Sequence, residues 1–336
     1  MTPSSQAGKA PVETDGTLGR IGEFGLIRRV ATGRSQPGTT LLGPGDDAAV
    51  VAAPDGRVVA STDVLVETVH FRLDWSTPEQ VGRRAAAANL SDIAAMGAVP
   101  TALLVGLACP PSTPVATLTA LADGLWAEAS TVGAGVVGGD VASSAQLMVA
   151  VTALGSLEGR APVERSGARP GDLVAVRGRL GWAAAGLAVL QRGFRSPAVV
   201  VNAHRVPEPP YAAGPEAARA GATAMIDVSD GLVADLGHVA RASGVRIDVR
   251  SAALDVPSRL ADVGAALGAD PRHWLLTGGD DHALAAAFPP DALLPFGWVR
   301  VGTVLPAEEG VPDDEPGVLV DGRPYDGGPS GWDHFA

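Results

Sequence analysis

The chain has 336 residues and a formal net charge of −12, with 37 acidic residues against 25 basic ones, which excludes nucleic-acid binding through a broad basic face. Hydrophobic residues make up 46% and aromatics only 4%, so the chain can pack a globule, but its core must be built mostly from Ala, Val and Leu. Lys9 is the only lysine and Cys109 the only cysteine, which excludes a Schiff-base lysine in the folded body, a Walker A loop, an internal disulfide and a multi-cysteine zinc site.

Residues 1–19 contain no apolar run and read as a disordered tail, not a secretory signal. A short helix is expected over 21–31. Strands follow at 48–53 and 57–66, on either side of a Pro-Asp-Gly turn at 54–56. Val81, Ala85, Ala88, Asp92 and Met96 recur every three or four residues, which predicts a helix over 78–97. A buried strand over 101–109 holds Cys109, a helix spans 114–131, and strands cover 135–137 and 146–157. The order ββαβαββ suits a mixed α/β layer. A polar, turn-rich joint at 158–172 divides the chain into a tail (1–19), an N-terminal unit (20–157) and a C-terminal unit (158–336). The second unit reads as α/β. Strands are expected at 173–177, 224–228, 245–249, 298–304 and 317–320, and helices at 182–191, 232–243 and 257–267, with a helical and looped stretch over 192–221. The longest weakly polar stretch, 93–109, is short for a membrane span and is broken by Gly97 and Pro100. With the lone cysteine, this points to a cytoplasmic protein.

The carboxylates are clustered. They occur at Gly45-Asp46-Asp47, Ser61-Thr62-Asp63, Asn89-Leu90-Ser91-Asp92, Gly138-Gly139-Asp140, Asp227-Val228-Ser229-Asp230-Gly231 and Gly278-Gly279-Asp280-Asp281. Glycine at a strand end lets the backbone approach a ligand, and the adjacent carboxylate is a hard oxygen donor. Six such clusters suggest one shared site with several Mg²⁺ ions bridging to an anionic substrate such as a nucleotide polyphosphate, which reconciles an acidic protein with a phosphate ligand. Each cluster also has a plainer reading. Asn89 and Asp92 share a helix face that could equally be solvated. Ser229 and Asp230 are placed to cap the following helix. The 227–231 run is not a calcium loop, because Gly231 falls one position too early for an EF-hand.

Read in order, GEFGLI (22–27), GDDAAV (45–50), STDVLVETVHF (61–71), NLSDIAAMGA (89–98), GGD (138–140), RSGARPGD (165–172), DVSDGLVADLGH (227–238), GGDDHAL (278–284) and GWDHF (331–335) resemble the thiamine-monophosphate kinase family. That family lies in the superfamily of ATP-using enzymes related to aminoimidazole ribonucleotide synthetase. The resemblance implies ATP-dependent phosphorylation of thiamine monophosphate to thiamine diphosphate. It implies a two-unit α/β fold whose N-terminal mixed sheet dimerises into a closed barrel. It also implies Mg²⁺ positions at Asp47, Ser61, Thr62, Asp63, Asp92, Asp140, Asp227 and Asp230. ATP contacts would fall at Gly139, Asp140, Arg165 and Ser229, and substrate contacts at His70, Asp280 and Trp332. Two positions depart from the family. Gly-Gly-Asp-Asp-His stands where Gly-Gly-Glu-Asp-Tyr is more usual, and Trp332 stands where Tyr is frequent. The alternatives are another ATP-using synthetase of the superfamily or a non-catalytic metal- or nucleotide-binding protein. Selenophosphate synthetase, with its N-terminal Cys or selenocysteine, and the hydrogenase-maturation relative, with its C-terminal Cys, fit poorly with a lone Cys109 in a strand.

Overall fold

The structure is a computed structural model that describes residues 16–44, 48–307 and 317–332. The first helix, α1 (Leu18–Ala31), is kinked at Gly22, whose φ of 69° a side chain would strain. Two short strands, β1 (Thr40–Leu42) and β2 (Val50–Val51), pair antiparallel with each other. β3 (Val59–Val66) leads into α2 (Pro78–Ala95), whose entry carries a complete capping box between Thr77 and Gln80, with proline in the first turn. β4 (Val99–Cys109), α3 (Val115–Thr131), β5 (Gly135–Ser143) and β6 (Met148–Ser156) complete the first half.

These strands form a four-stranded sheet in the order β3-β6-β4-β5, antiparallel except for the β4–β5 pair. The expected hairpin around residues 54–56 does not form. β2 turns back onto β1, and β3 pairs with β6 instead. The Asp55 carboxylate accepts from the Arg57 guanidinium and from the Gly159 N–H, so the turn is tied to the loop after β6. Gly138-Gly139-Asp140 lies inside β5, not in a turn after it, with a register irregularity opposite Leu103 and Leu104. One face of the sheet is covered by α2 and α3. These helices cross so closely that a Cβ at Gly82 would meet the Leu121 carbonyl and one at Gly124 the Glu79 carbonyl. The core here is aliphatic: Val81, Leu90, Ile93, Leu103, Leu118, Leu121, Val149 and Val151 are nearly inaccessible.

The second half begins with β7 (Leu173–Arg177), α4 (Trp182–Gln191), α5 (Ala198–Arg205) and α6 (Ala213–Arg219). It continues with β8 (Ala224–Val228), α7 (Leu232–Ser243), β9 (Val245–Val249), α8 (Ser258–Leu267) and α9 (Pro271–Thr277). It ends with β10 (Ala283–Phe288), β11 (Val299–Pro306), β12 (Val318–Val320) and β13 (Arg323–Pro324). The seven-stranded sheet runs β13-β12-β9-β11-β7-β10-β8. The sequence reading omits β10, yet this strand is buried along its whole length between β7 and β8. Its Ala-Leu-Ala-Ala-Ala-Phe run lacks the β-branched signature of a strand.

A third core joins the halves. Ala94 and Ala95 of α2 pack with Ala213 and Ala217 of α6, Met225 of β8 and Phe288 of β10. Gly214 allows this contact, since a Cβ there would collide with the Ala94 carbonyl. α2 is thereby docked beside β8, the edge strand that carries Asp227. No helix among the described residues is long and apolar enough to cross a membrane.

Candidate active site

One cavity of about 1040 Å³ lies where α2, the end of β3 and the loops after β8 and α9 meet. Ser61, Asp63, His70, Asp92, Arg165, Asp227, Ser229, Asp230, Asp280 and Trp332 all line it. Ten positions named from the sequence therefore share a single cleft. Asp47 lies outside the described residues. Thr62, Gly139 and Asp140 are not among the residues that line this cleft. The reason is strand geometry. Ser61 and Asp63 alternate with Thr62 along β3, so Thr62 points to the other face, where its hydroxyl donates to the Val151 carbonyl and accepts from Thr152. The pairing Val64–Ala150–Gly106–Asp140 crosses the whole sheet. Asp140 is therefore three strands from Val64, roughly 14 Å at the usual spacing, and shares the open face with Thr62.

Within the cleft the acids are crowded. Asp92 Oδ2 accepts from the Ser61 hydroxyl at 2.5 Å. Burial, and then the nearby charge of Asp227, push the Asp92 carboxyl up to about 7. Asn89 is fully buried, not solvated. Its amide nitrogen donates to the Ala85 carbonyl, and its oxygen accepts from the Asp63 backbone N–H at 3.0 Å, which pins β3 to α2. Asp227 is 4% exposed and accepts from the Ser91 hydroxyl at 3.3 Å.

His282 completes this cluster, a role that sequence reasoning missed. Its Nδ1 lies 3.0 Å from Asp227 Oδ2. Burial alone would lower the imidazole, but the hydrogen bond and charge of Asp227, with Asp280 and Asp92 beyond it, raise it overall. Nδ1–H then donates to the carboxylate. The signal was present as the His that departs from the family's Tyr, but its partner lies 55 residues upstream.

Asp235 was also missed. Its Oδ2 accepts from the backbone N–H of Asp230 and of Gly231, both at 3.0 Å, and so shapes the turn that presents Ser229 and Asp230. Burial, followed by the charge of Asp227, raises its carboxyl to about 7. Gly231, at φ 137°, has no room for a side chain against Thr277. With His238, Asp230 and Asp235 form a group whose ligand atoms lie within 4.8 Å of one another. Gly231 is the N-cap residue of α7 and makes no side-chain cap bond, so the competing capping role weighed for Ser229 and Asp230 does not fall at the N-cap position.

The 278–282 loop is fastened to β8 by hydrogen bonds from Asp280 N–H to the Ser229 carbonyl (2.8 Å) and from His282 N–H to the Val228 carbonyl (3.0 Å). Asp280 and His282 both have positive φ, 66° and 52°, a conformation unusual for side-chain-bearing residues. Asp281 points away from the cleft, and its Oδ1 accepts from the Ala183 N–H at the start of α4. His70 Nδ1 accepts from the Val66 N–H at 3.0 Å. Arg165 is exposed, and its carbonyl is held by the Ser243 hydroxyl. Trp332 is 58% exposed at the cleft rim, its backbone N–H donating to the Asp230 carbonyl.

The clustered oxygen donors in the cleft are carboxylates and hydroxyls, the hard set that suits Mg²⁺. Burial, and then the charge of the neighbouring Asp227, disfavours a bare carboxylate at Asp92, a cost that a divalent cation would relieve. The residues present therefore fit such a metal.

Residues 45–157 match the family model described as AIR synthase related protein, N-terminal domain. Thiamine-monophosphate kinase of Mycobacterium tuberculosis is 53% identical over 320 residues, covering 95% of this chain and 93% of that protein. The Corynebacterium glutamicum enzyme of the same name is 43% identical over 297 residues, covering 86% and 87%. A solved structure of AaThiL complexed with AMPPCP and TMP superposes with a TM-score of 0.77 at 31% identity, covering 94% of this chain and 98% of that one. At this identity and coverage, the chain belongs to the thiamine-monophosphate kinase family.

Proposed function

We propose that this protein transfers the γ-phosphoryl group of ATP to thiamine monophosphate, giving thiamine diphosphate and ADP. The observation that carries this reading is the single cleft in which the clustered acids of β3, α2 and the β8–α7 turn meet His70, Asp280 and Trp332. A phosphate oxygen of thiamine monophosphate attacks the γ-phosphorus, a new P–O bond forms, and the bond to the β–γ bridging oxygen breaks as ADP leaves. The nucleophile is already ionised, so the chain need not supply a strong general base. Its work is positioning and charge compensation.

Asp63, Asp92, Asp227, Asp230 and the Ser61 hydroxyl would hold Mg²⁺ in this cleft, with Asp47 added from outside the described residues. When bound, the ions supply charge neutralisation between two phosphate reactants. Arg165 offers a guanidinium, and Ser229 a hydroxyl, to the nucleotide. Trp332 offers an indole face to the cationic thiazolium. Asn89 and Asp235 hold the backbone that carries Asp63 and Asp230.

A homodimer accounts for Thr62, Gly139 and Asp140. The sheet has two edges, β3 and β5. A two-fold closure that joins each β3 to the other copy's β5 makes an eight-stranded barrel and removes both edges. The open face would become its interior, which suits the exposed Val64 and Leu104 there. The partner's Gly139 and Asp140 would then lie one strand from Thr62 instead of three. We retain the division into units at 20–157 and 158–336, and place the activity in the cytoplasm, consistent with the single, buried Cys109.

The test is product formation. Purified protein with Mg·ATP and thiamine monophosphate is expected to release ADP and thiamine diphosphate in equal amounts. Normal ATP binding without thiamine diphosphate would overturn the assignment.

A further inference from the structure

We propose that Arg84 is the positioning residue for the substrate end of the cleft, acting through Asp280. This rests on the reading of Asp280 as a substrate contact. Arg84 stands on the cleft-facing stripe of α2, four and eight residues before Ala88 and Asp92, which line the same cavity. It is 7% exposed. One guanidinium nitrogen donates to the His204 carbonyl at the end of α5 (2.6 Å), and another meets Asp280 Oδ2 at 2.8 Å. A buried guanidinium is costly without a partner, and Asp280 supplies the compensating carboxylate.

The pairing bears most directly on Asp280. Its carboxylate is 43% exposed to the cleft, on a residue with positive φ that follows two glycines. Gly279 permits close contact with the Ser229 carbonyl, where a Cβ would clash. Such a loop does not fix a side chain by its backbone alone. The Arg84 fork fixes one carboxylate oxygen and leaves the other for a ligand donor such as an amine N–H. Aspartate is one methylene shorter than the glutamate usual in the family, so the direction of this carboxylate decides what it can reach. Arg84 sets that direction from the helix that also carries Asp92. It has a guanidinium's planar fork, which a lysine ammonium lacks.

The experiment measures Michaelis constants for both substrates in Arg84→Met, Arg84→Lys, Asp280→Asn and the Arg84→Met/Asp280→Asn double variant. Arg84→Met is expected to raise the constant for thiamine monophosphate ~10-fold, equivalent to about 1.4 kcal/mol. The ATP constant should stay within about 2-fold and kcat within about 3-fold, because ATP and the transferring group are held elsewhere. Arg84→Lys keeps the charge but cannot serve both acceptors in one plane, so a rise of about 3-fold is expected. The double variant should be no weaker than the worse single variant, the mark of two residues acting as one. Additive losses, equal rises in both constants, or a fall in kcat alone would overturn the proposal, the last by placing Arg84 on the phosphoryl group. Should Arg84→Met fail to fold, the Lys variant decides, and unchanged constants there refute the proposal. Inactive wild-type protein would defeat the functional reading, and this proposal with it. An active wild type with an indifferent Arg84 series would defeat this proposal alone.

Discussion

Asp92→Asn should separate stability from function in opposite directions. The carboxyl sits at about 7 against an ordinary 3.8 because burial and then Asp227 disfavour its charge. Each pKa unit is worth about 1.36 kcal/mol, so the full penalty for ionising it in the fold is about 4 kcal/mol. Part of the side chain faces the open cleft, where water screens it, which brings the figure to about 2 kcal/mol. The folded pKa lies above the unfolded one, so stability is intact below about pH 4 and is lost as pH rises through about 7. At pH 8, without divalent cations, the Asn variant removes that penalty and keeps an oxygen for the Ser61 hydroxyl. Its melting midpoint should be about 5 °C above wild type, with the gap closing toward pH 4. Turnover with Mg·ATP should fall by roughly 10²–10³, the cost of removing a comparable electrostatic group. Thermal scans in chelator from pH 4 to 8, paired with ADP-release rates, read both effects. An Asn variant less stable than wild type at pH 8, or one that keeps more than about a tenth of the rate, would refute this argument.

Trp332→Ala should raise the Michaelis constant for thiamine monophosphate about 2- to 30-fold while the ATP constant changes little, and Trp332→Tyr should recover most of the loss; equal weakening of both substrates would make Trp332 a packing residue. Asp281, also raised to about 7 by burial, should lose its stabilising effect between about pH 4 and 7, so Asp281→Asn should flatten the pH dependence of denaturant midpoints and stabilise by about 2–4 kcal/mol above pH 7. An unchanged slope would rule that out. If the partner completes each site, mixing inactive Asp63→Asn with inactive Asp140→Asn chains should restore on the order of a quarter of wild-type activity, because half the dimers are mixed and each has one intact site; no recovery in demonstrably mixed dimers would place both residues in one chain.

Elements with strong local patterning were legible in the sequence. β7, α4, β8, α7 and β9 fall at the expected residues, since each pairs a short apolar run with a clear stop. What was illegible depended on distant partners. β10 is a strand because β7 and β8 flank it, not because alanine favours strands. Residues 54–56 have turn chemistry, but β3 finds a better partner in β6. In the site, carboxylates beside glycines stood out, whereas Arg84 and His282 show their meaning only through Asp280 and Asp227, nearly two hundred and about fifty-five residues away in sequence. Thr62 and Asp140 carry the same kind of motif as Asp63, yet a two-residue strand period and three strand spacings move them to another face.

The placement of α2 explains how a cleft between two sheets can hold several like charges in register. Asn89 ties the helix to β3 through the Asp63 N–H, and Ser91 ties it to β8 through Asp227. Arg84 ties it to the 278–282 loop, while Ala94 and Ala95 sink into the core beneath β8 and β10. Each tether lies within three turns of the same rigid element, so a shift at one would strain the others. The Ser61 hydroxyl holds Asp92 in position and, with the nearby His282, offsets only part of the cost that burial and Asp227 place on its charge. The remaining cost is recorded in the raised carboxyl at Asp92, and the proposed cation would relieve it. If cations bind here as proposed, they meet carboxylates already held in place, so little reorganisation is needed on binding.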